Sequence, residues 1–317
     1  MGKYLLKRLG QTVLVMFLVS TLVFFLVSMI PGDPVYAMLG EDITPEEYEV
    51  QYLKLGLDKP VAERYVDWLI GVLHGDFGSS TQYHTSVVSV LMERVPVTLY
   101  LAILSTLISF PIGILFGVLT AVKRGKAADT VVTLIANVCA CLPQFWIGIC
   151  LMYALALKTG LLPSSGFTWP WVDLGTHIRQ LIMPLTCLSL GSIAGITRQT
   201  RSSMLEVIRQ DYVRTARSKG LHENKVISVH VMKNGLTPII TMLGNRLAFM
   251  IGGSMFVEEV FNIPGMGSLF VKAVSGKDIQ LIQACVLLTA LVSCVAYIVT
   301  DILYMVVDPR ISLVESE

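Results

Sequence analysis

The sequence predicts an all-α polytopic membrane protein with six transmembrane helices. Of its 317 residues, 54% are hydrophobic and 15% are charged, whereas a soluble domain carries about 25% charged residues. Apolar segments recur along the chain that are long enough for a helix to cross a bilayer, which takes about 20 residues. The charged residues concentrate between these segments, and several connections carry helix signals of their own.

Six apolar segments are predicted to span the membrane. The first follows basic residues, as the core of a secretory signal does, but it runs for 22 residues and a signal core has about 7–15. We therefore predict that it is retained. The fifth and sixth segments contain one charge each, Arg246 and Asp301. The six segments are residues 9–30, 95–122, 130–157, 180–197, 235–257 and 279–307.

The distribution of basic residues predicts the orientation. If the N-terminus is cytoplasmic, 15 of the 24 Lys and Arg residues fall in cytoplasmic segments, as the positive-inside rule requires. The first external connection is instead dominated by acidic residues. Both termini are therefore predicted to be cytoplasmic.

The predicted spans divide the chain into four parts, of which the second is an external amphipathic helical insertion. Within it, Thr44-Pro45-Glu46-Glu47 forms a capping box with proline at the first helical position, and apolar residues recur at helical spacing after Pro60. The insertion either packs on its own transmembrane helices or the lipid surface, or serves as a docking surface for an external partner. The parts are residues 1–30, 31–94, 95–310 (a five-helix core containing the cytoplasmic segment 198–235) and 311–317.

Small residues and prolines inside the spans predict how the helices pack. Gly113 with Gly117, and Gly191 with Gly195, are pairs of the small-xxx-small type that allow close helix approach. Prolines inside a helix remove a backbone hydrogen bond and mark predicted kinks. These prolines are Pro111, Pro143, Pro184 and Pro238.

Polar residues in and beside the fifth span are candidates for a transport pathway or its gate. Arg246 cannot face lipid without a large cost. With Asn245 it lines a polar path, or else it pairs with Asp301 or a helix-end carbonyl, and the sequence leaves both open. The external connection that follows has turn signals. Its candidate gate residues are Glu258, Glu259, Pro264 and Gly265.

A short charged segment, residues 211–220, stands out from the apolar chain. Its apolar residues recur at helical spacing, and Gly220 is placed to end a helix. Val213, Ala216 and Gly220 share a face of small side chains, with Tyr212 beside it. Such a helix can lie in a groove of another protein or rest on anionic lipid, and the residues alone leave both open. The candidate residues are Asp211, Tyr212, Val213, Arg214, Thr215, Ala216, Arg217, Lys219 and Gly220.

Several kinds of chemistry have no support in the sequence. No phosphate-binding loop is present, because Gly125-Lys126 and Gly276-Lys277 are followed by Ala127 and Asp278. There is no His-x-x-x-His pair and no Gly-x-Ser-x-Gly turn, so neither metal hydrolysis nor serine catalysis is indicated. The net charge of +1 gives no argument for nucleic acid. We expect no enzyme, no metal and no cofactor in this chain.

A set of separate motifs resembles one family, the transmembrane permease subunits of bacterial binding-protein-dependent ABC importers of the dipeptide, oligopeptide and nickel group. The long first external connection resembles that of the first of the two permeases in such systems. The similarity covers nearly the whole chain. It rests on residues 31–34 (Pro-Gly-Asp-Pro), 55–60, 75–80 (Gly-Asp-Phe-Gly-Ser-Ser), 211–221, 264–267 and 308–310.

In that family the segment 211–220 belongs to the coupling motif, whose general form begins Glu-Ala-Ala and has a glycine four residues after the second alanine. Ala216 and Gly220 keep that spacing. Arg214 and Thr215 stand where the general form has Glu and Ala, and Pro238 lies farther downstream than the usual Leu-Pro. The resemblance therefore rests on the whole set of motifs.

The resemblance implies a type I ABC importer permease in the bacterial cytoplasmic membrane, with both termini cytoplasmic. The expected partners are a second permease, two cytoplasmic ATPase subunits that bind ATP and Mg, an external solute-binding protein and membrane lipid. ATPase closure would move the coupling helix and open the pathway. Short peptides are the expected cargo, with nickel or a glutathione-like solute as alternatives. An ion-coupled secondary transporter is a further alternative, but Asp301 alone approaches the buried acids that it needs.

Overall fold

The computed structural model describes residues 2–29, 33–40, 42–239, 242–243, 246 and 252–307. This part of the chain is helical and contains no β-strand, so the predicted all-α class is confirmed. Two π-helical stretches, Met152–Lys158 and Val226–Val231, continue neighbouring helices. The helices are α1 Gly2–Ser28, α2 Pro34–Leu39, α3 Pro45–Lys54, α4 Val61–Leu73, α5 Val87–Val122, α6 Ala127–Cys141, α7 Gln144–Leu151, α8 Leu174–Ile208, α9 Asp211–Ser218, α10 Glu223–Lys225, α11 Met232–Gly235, α12 Met255–Val260, α13 Met266–Ser275 and α14 Ile279–Val307.

Four helices in the described residues, α1, α5, α8 and α14, are long and apolar enough to cross a membrane. They contain the predicted first, second, fourth and sixth spans, except that Met29 is a turn after α1 and Ile30 lies outside the described residues. A bent pair of helices supplies a fifth candidate span. Nine of the 23 residues of the predicted fifth span, 235–257, lie outside the described part, and this span stays a prediction.

The predicted third span, 130–157, is not one continuous helix. It is broken between α6 and α7, whose axes differ by 99°. Pro143 is the cause, because its ring keeps the preceding residue out of the helical region. Leu142 is accordingly extended, with ψ near 130°. The kink expected at Pro143 is thus a full break, whereas α8 continues through Pro184.

The chain divides into two compact units, and the first comprises residues 1–98 and 264–294. Its core is formed by apolar side chains of α1, α13, α14 and the start of α5. In the external insertion, the Thr44–Glu47 capping box is present as predicted. The Tyr65 hydroxyl of α4 lies within hydrogen-bond distance of Ser20 and Thr21 of α1. This part of the insertion therefore packs on its own first span.

A buried carboxylate connects two segments of the first unit. Asp278, which precedes α14, accepts hydrogen bonds from the Ser80 hydroxyl at 2.6 Å, the Gln82 amide at 3.2 Å and the Leu281 amide at 3.1 Å. The Asp278 side chain is fully buried. These contacts tie the Gly-Asp-Phe-Gly-Ser-Ser stretch to the start of the last span and give that stretch a structural role.

The second unit comprises residues 99–263 and 295–317, of which residues up to 307 are described. In it α5 and α8 approach closely where the glycine pair was predicted to allow it. A Cβ on Gly113 would lie 2.7 Å from Ile196, and a Cβ on Gly117 would lie 2.9 Å from the Thr197 carbonyl oxygen. Both distances are shorter than real Cβ contacts, so this packing requires glycine.

Candidate functional site

The candidate site is the segment between the end of α8 and the end of α11. α8 ends at Ile208, and the chain turns through Arg209 and an extended Gln210 before α9 begins at Asp211. The periodic pattern from Met204 to Ala216 therefore belongs to two helices. α9 has eight residues, and Gly220 adopts a φ of +76° just beyond it. The predicted helix and its glycine stop are present.

The inner face of α9 is buried against the same chain. Val213 is fully buried and Ala216 nearly so, and they pack in an apolar cluster with Met204 of α8. The other buried members of the cluster are Ala121, Val226, Ile227 and Val231. The small face of Val213 and Ala216 is therefore covered by the same chain and attaches α9 to it. Whether α9 meets another protein or lipid stays a prediction. Gly220 has open space around its Cα.

Two polar contacts hold the ends of α9 on the following residues. Arg217 makes a bidentate ion pair with Glu223 at 2.7 and 3.1 Å. The hydrogen bonds from this guanidinium lower the pKa of the Glu223 carboxyl. At the other end, Asn234 of α11 donates a hydrogen bond of 2.8 Å to the Tyr212 hydroxyl. α9 is thus fixed to the segment 223–235 as one body.

The outer face of α9 is exposed and charged. Its Arg214 guanidinium lies 3.6 Å from Asp211, a pair in which both side chains are largely in solvent, so it contributes little to stability. Tyr212 is 42% exposed and stands at the edge of this face. The remaining exposed residues of α9 are Thr215, Arg217 and Ser218, and the exposed Lys219 follows its end. The side available to a partner is therefore the polar one.

An ion pair between a buried carboxylate and a half-buried arginine joins α8 to α6 one turn before the Met204 cluster. Arg201 binds Asp129 in bidentate fashion, at 2.8 and 2.9 Å. The Gly125 amide and the Thr133 hydroxyl donate to the same carboxylate. Sequence reasoning missed this pair. The signal was one acid in the basic turn after α5, but its partner lies 72 residues away.

The candidate pathway and gate residues belong to both units and have different surroundings. In the second unit Arg246 is half-buried and donates a hydrogen bond of 3.3 Å to the Ser192 hydroxyl. Glu258 is fully buried and accepts from the Ser254 hydroxyl at 2.8 Å, whereas Glu259 is exposed. In the first unit Gly265 precedes α13 after Pro264 and is buried. Asn245 lies outside the described residues.

These features define a class. They are those of an α-helical protein with several candidate membrane spans. Comparison with known families agrees. Residues 113–313 match the family of binding-protein-dependent transport system inner membrane components, and residues 1–102 match its N-terminal membrane component. The chain belongs to this family, the permease subunits of ABC importers, and is a multi-pass inner-membrane protein.

Individual relatives are similar over nearly their whole length. The chain is 36% identical to the oligopeptide transport system permease protein AppB of Bacillus subtilis, over 98% of the chain and 99% of the relative. It is 35% identical to the dipeptide transport system permease protein DppB of Escherichia coli K12, with the same coverage. Among solved structures, an inward-facing form of the MetNI methionine ABC transporter superposes with a TM-score of 0.58 at 18% identity, covering 69% of this chain and 97% of that chain. This last likeness shows the fold.

Proposed function

We propose that this chain is the first of two permeases of an ATP-driven importer of short peptides. The observation that carries the cargo assignment is the similarity, over 98% of the chain, to permeases of oligopeptide and dipeptide systems. An external binding protein delivers the peptide, and two ATPase subunits on the cytoplasmic side bind ATP and Mg. Both termini of this chain are cytoplasmic. Nickel and glutathione-like solutes are the alternative cargoes.

α9 is the coupling helix of this importer. Its exposed face, formed by Tyr212, Arg214, Thr215, Ser218 and Lys219, contacts the ATPase subunit. Its buried face transmits the movement, because Val213 and Ala216 share a core cluster with α8. α8 in turn is fixed to α6 by the Asp129–Arg201 ion pair and to α5 at Gly113 and Gly117. Movement of α9 is thereby passed to three membrane helices. Polar and ionic attachments keep α9 rigid, so that ATPase closure is not absorbed by bending.

Reconstitution tests both parts of this proposal. The complex of this chain, its second permease, the ATPases and the binding protein is placed in liposomes containing ATP, and uptake of labelled di- and tripeptides is compared with uptake of nickel and glutathione. Peptide uptake that requires ATP supports the cargo. Uptake of nickel alone would contradict it.

The coupling role is tested by reversing one exposed charge. Arg214→Glu on the outer face of α9 is expected to abolish uptake and the ATP hydrolysis stimulated by loaded binding protein, while the assembled permeases remain intact. Arg124→Glu is the matched control, since Arg124 is an exposed arginine in the turn between α5 and α6. Normal stimulation in the Arg214 variant would contradict the assignment of α9.

A further inference from the structure

A row of polar groups runs along one side of α8, which is otherwise a largely apolar span. The positions involved are 191, 195 and 198, three or four residues apart, so they share one face of the helix. Beyond them the same helix lines a cavity of about 620 Å³. The row consists of Gln144, which lies beside Gly191, then Ser192, then Arg246, which lies beside Gly195, and finally Arg198.

Arg246 has a defined position in this row. A Cβ added to Gly195 would overlap the Arg246 guanidinium, so the absence of a side chain at this position makes room for it. The guanidinium is held by its hydrogen bond to Ser192, whose side chain is buried. The Gln144 amide nitrogen lies 3.9 Å from the position of a Cβ on Gly191, one turn along α8. Gln144 is the first residue after the break that Pro143 introduces.

The charge of this row has no acidic partner in the part of the chain that the structure describes. Among the described residues, no carboxylate lies within ion-pair distance of Arg246 or Arg198. Cations in membrane spans are normally paired with an anion. Arg246, with a neutral hydroxyl as its acceptor, has no such partner among the described residues. The exposed Arg198 adds a second positive charge at the end of the row.

The cavity at the end of the row is also lined mainly by positively charged side chains among its ionisable residues. Its wall includes Arg198, Arg201 and Arg209, while Glu206 is its acidic lining residue. Arg201 is neutralised by Asp129. Arg198 and Arg209 then contribute two positive charges to the wall, and Glu206 contributes one negative charge. From the break at Pro143 to the end of α8, this side of the helix thus favours anions.

We propose that this row is a subsite for the carboxylate of the transported peptide as it moves along α8. The inference rests on the proposed function, which supplies the peptide. A guanidinium binds a carboxylate through two parallel hydrogen bonds. Arg246 receives the carboxylate first, with Ser192 and Gln144 as neutral hydrogen-bonding groups beside it. Arg198 then attracts it toward the cavity. Two neighbouring cations at separate positions keep the anion from being held too tightly at either one.

The test uses the complete importer in liposomes and compares dialanine with dialanine amide, which lacks the carboxylate. Each is supplied at a concentration that saturates the binding protein, and the ratio of acid to amide uptake is measured for wild type and variants. The same binding protein is used with every variant, so its own preference for acid or amide cancels when the ratios are compared. Arg246→Gln is expected to lower the ratio by about tenfold, the effect of one charge-assisted hydrogen bond. Arg198→Gln should lower it in the same direction.

Two control variants and two outcomes complete the test. Arg246→Lys should keep most of the ratio, because the charge remains, and Arg124→Gln should leave it unchanged. An unchanged ratio in both glutamine variants, or an equal loss of acid and amide uptake, would overturn the subsite and assign Arg246 to structure or to a subunit contact. Absence of ATP-dependent uptake of either peptide by the wild type would instead contradict the proposed function itself.

Discussion

Two regions of the molecule use polar residues in opposite ways. At the junction before α14, the Asp278 carboxylate is fully buried and accepts three hydrogen bonds from its own unit. In the segment from α9 to α11, apolar residues are buried and the charges of Arg214 and Lys219 face outward. A buried polar group must be satisfied within the chain and so serves to fix structure. An exposed, charged face on a rigid helix is available for a partner.

This difference predicts where substitutions act on stability and where they act on coupling. Changes at the junction should reduce the stability of the permease without a specific effect on ATP hydrolysis. Changes on the inner face of α9 should affect both, since that face joins the coupling helix to the spans.

Asp278→Ala is expected to have the largest effect on stability. It leaves the Ser80 hydroxyl and two backbone amides without their acceptor in a buried site, and we expect a loss of about 3–5 kcal/mol in the free energy of unfolding. The thermal unfolding midpoint of the purified complex in detergent measures it. Asp67→Ala is the control, because Asp67 pairs with Lys59 where both side chains are exposed. Equal midpoints for the two variants would contradict the structural role of the junction.

Val213→Ala tests the attachment of α9. Removing two methyl groups from a fully buried position is expected to destabilise the cluster by about 2 kcal/mol through lost burial and a residual cavity. Because the cluster connects α9 to α8, the ratio of peptides imported to ATP hydrolysed should fall as well. Val87→Ala, at a fully buried position outside this cluster, is the comparison for the loss of packing alone. A lower unfolding midpoint with an unchanged transport ratio would argue against transmission through this cluster.

Gly220→Ala should have a smaller, purely conformational effect. No atom lies within 4 Å of a Cβ at this position, so the methyl group fits. The φ of +76° is unfavourable for alanine and should cost about 1–2 kcal/mol locally. Backbone amide hydrogen exchange in α9 should accelerate while the rest of the chain is unaffected. Gly125→Ala, another open position with positive φ, separates this local effect from a general one.

The smallest expected effect is the pH dependence of the Arg217–Glu223 ion pair. Arg217 lowers the pKa of Glu223, so the stabilisation is fully present above the ordinary glutamate pKa of 4.5. It is lost as the pH falls through the lowered value. Half of the Glu223 side chain is exposed, and the change is therefore small. Hydrogen exchange of α9 between pH 6 and pH 3, compared with Glu223→Gln, measures it. An identical pH response in both proteins would refute the prediction.

The local features of the fold follow closely from the sequence. Apolar length alone predicts four spans that are continuous helices in the described residues. The Thr44–Glu47 capping box and the Gly220 stop each depend on residues within about four positions, so their effect is visible in the sequence. Gly113 and Gly117 predict close packing for the same reason, although the sequence does not say that α8 is the neighbour.

Features that depend on a distant partner were not predictable. A helical wheel gives α9 two faces, but it does not say that the rest of the chain covers the face of Val213 and Ala216. The partner of Arg246 was likewise undecided. The sequence allowed it to line a polar path or to pair with Asp301 or a helix-end carbonyl, and the structure shows a hydrogen bond to Ser192. The functional roles of α9 and Arg246 remain proposals.

The sequence by itself determined the class of protein, the continuous spans and the ends of the short helices, because these are set by hydrophobic length and by backbone conformations within one turn. Only the tertiary structure decided that Pro143 breaks a span by 99°, that Asp129 binds Arg201 across 72 residues, and that the charged side of α9 faces outward. The reason is physical. Burial and ion pairing depend on which segments pack together, and many pairings are compatible with the same local pattern.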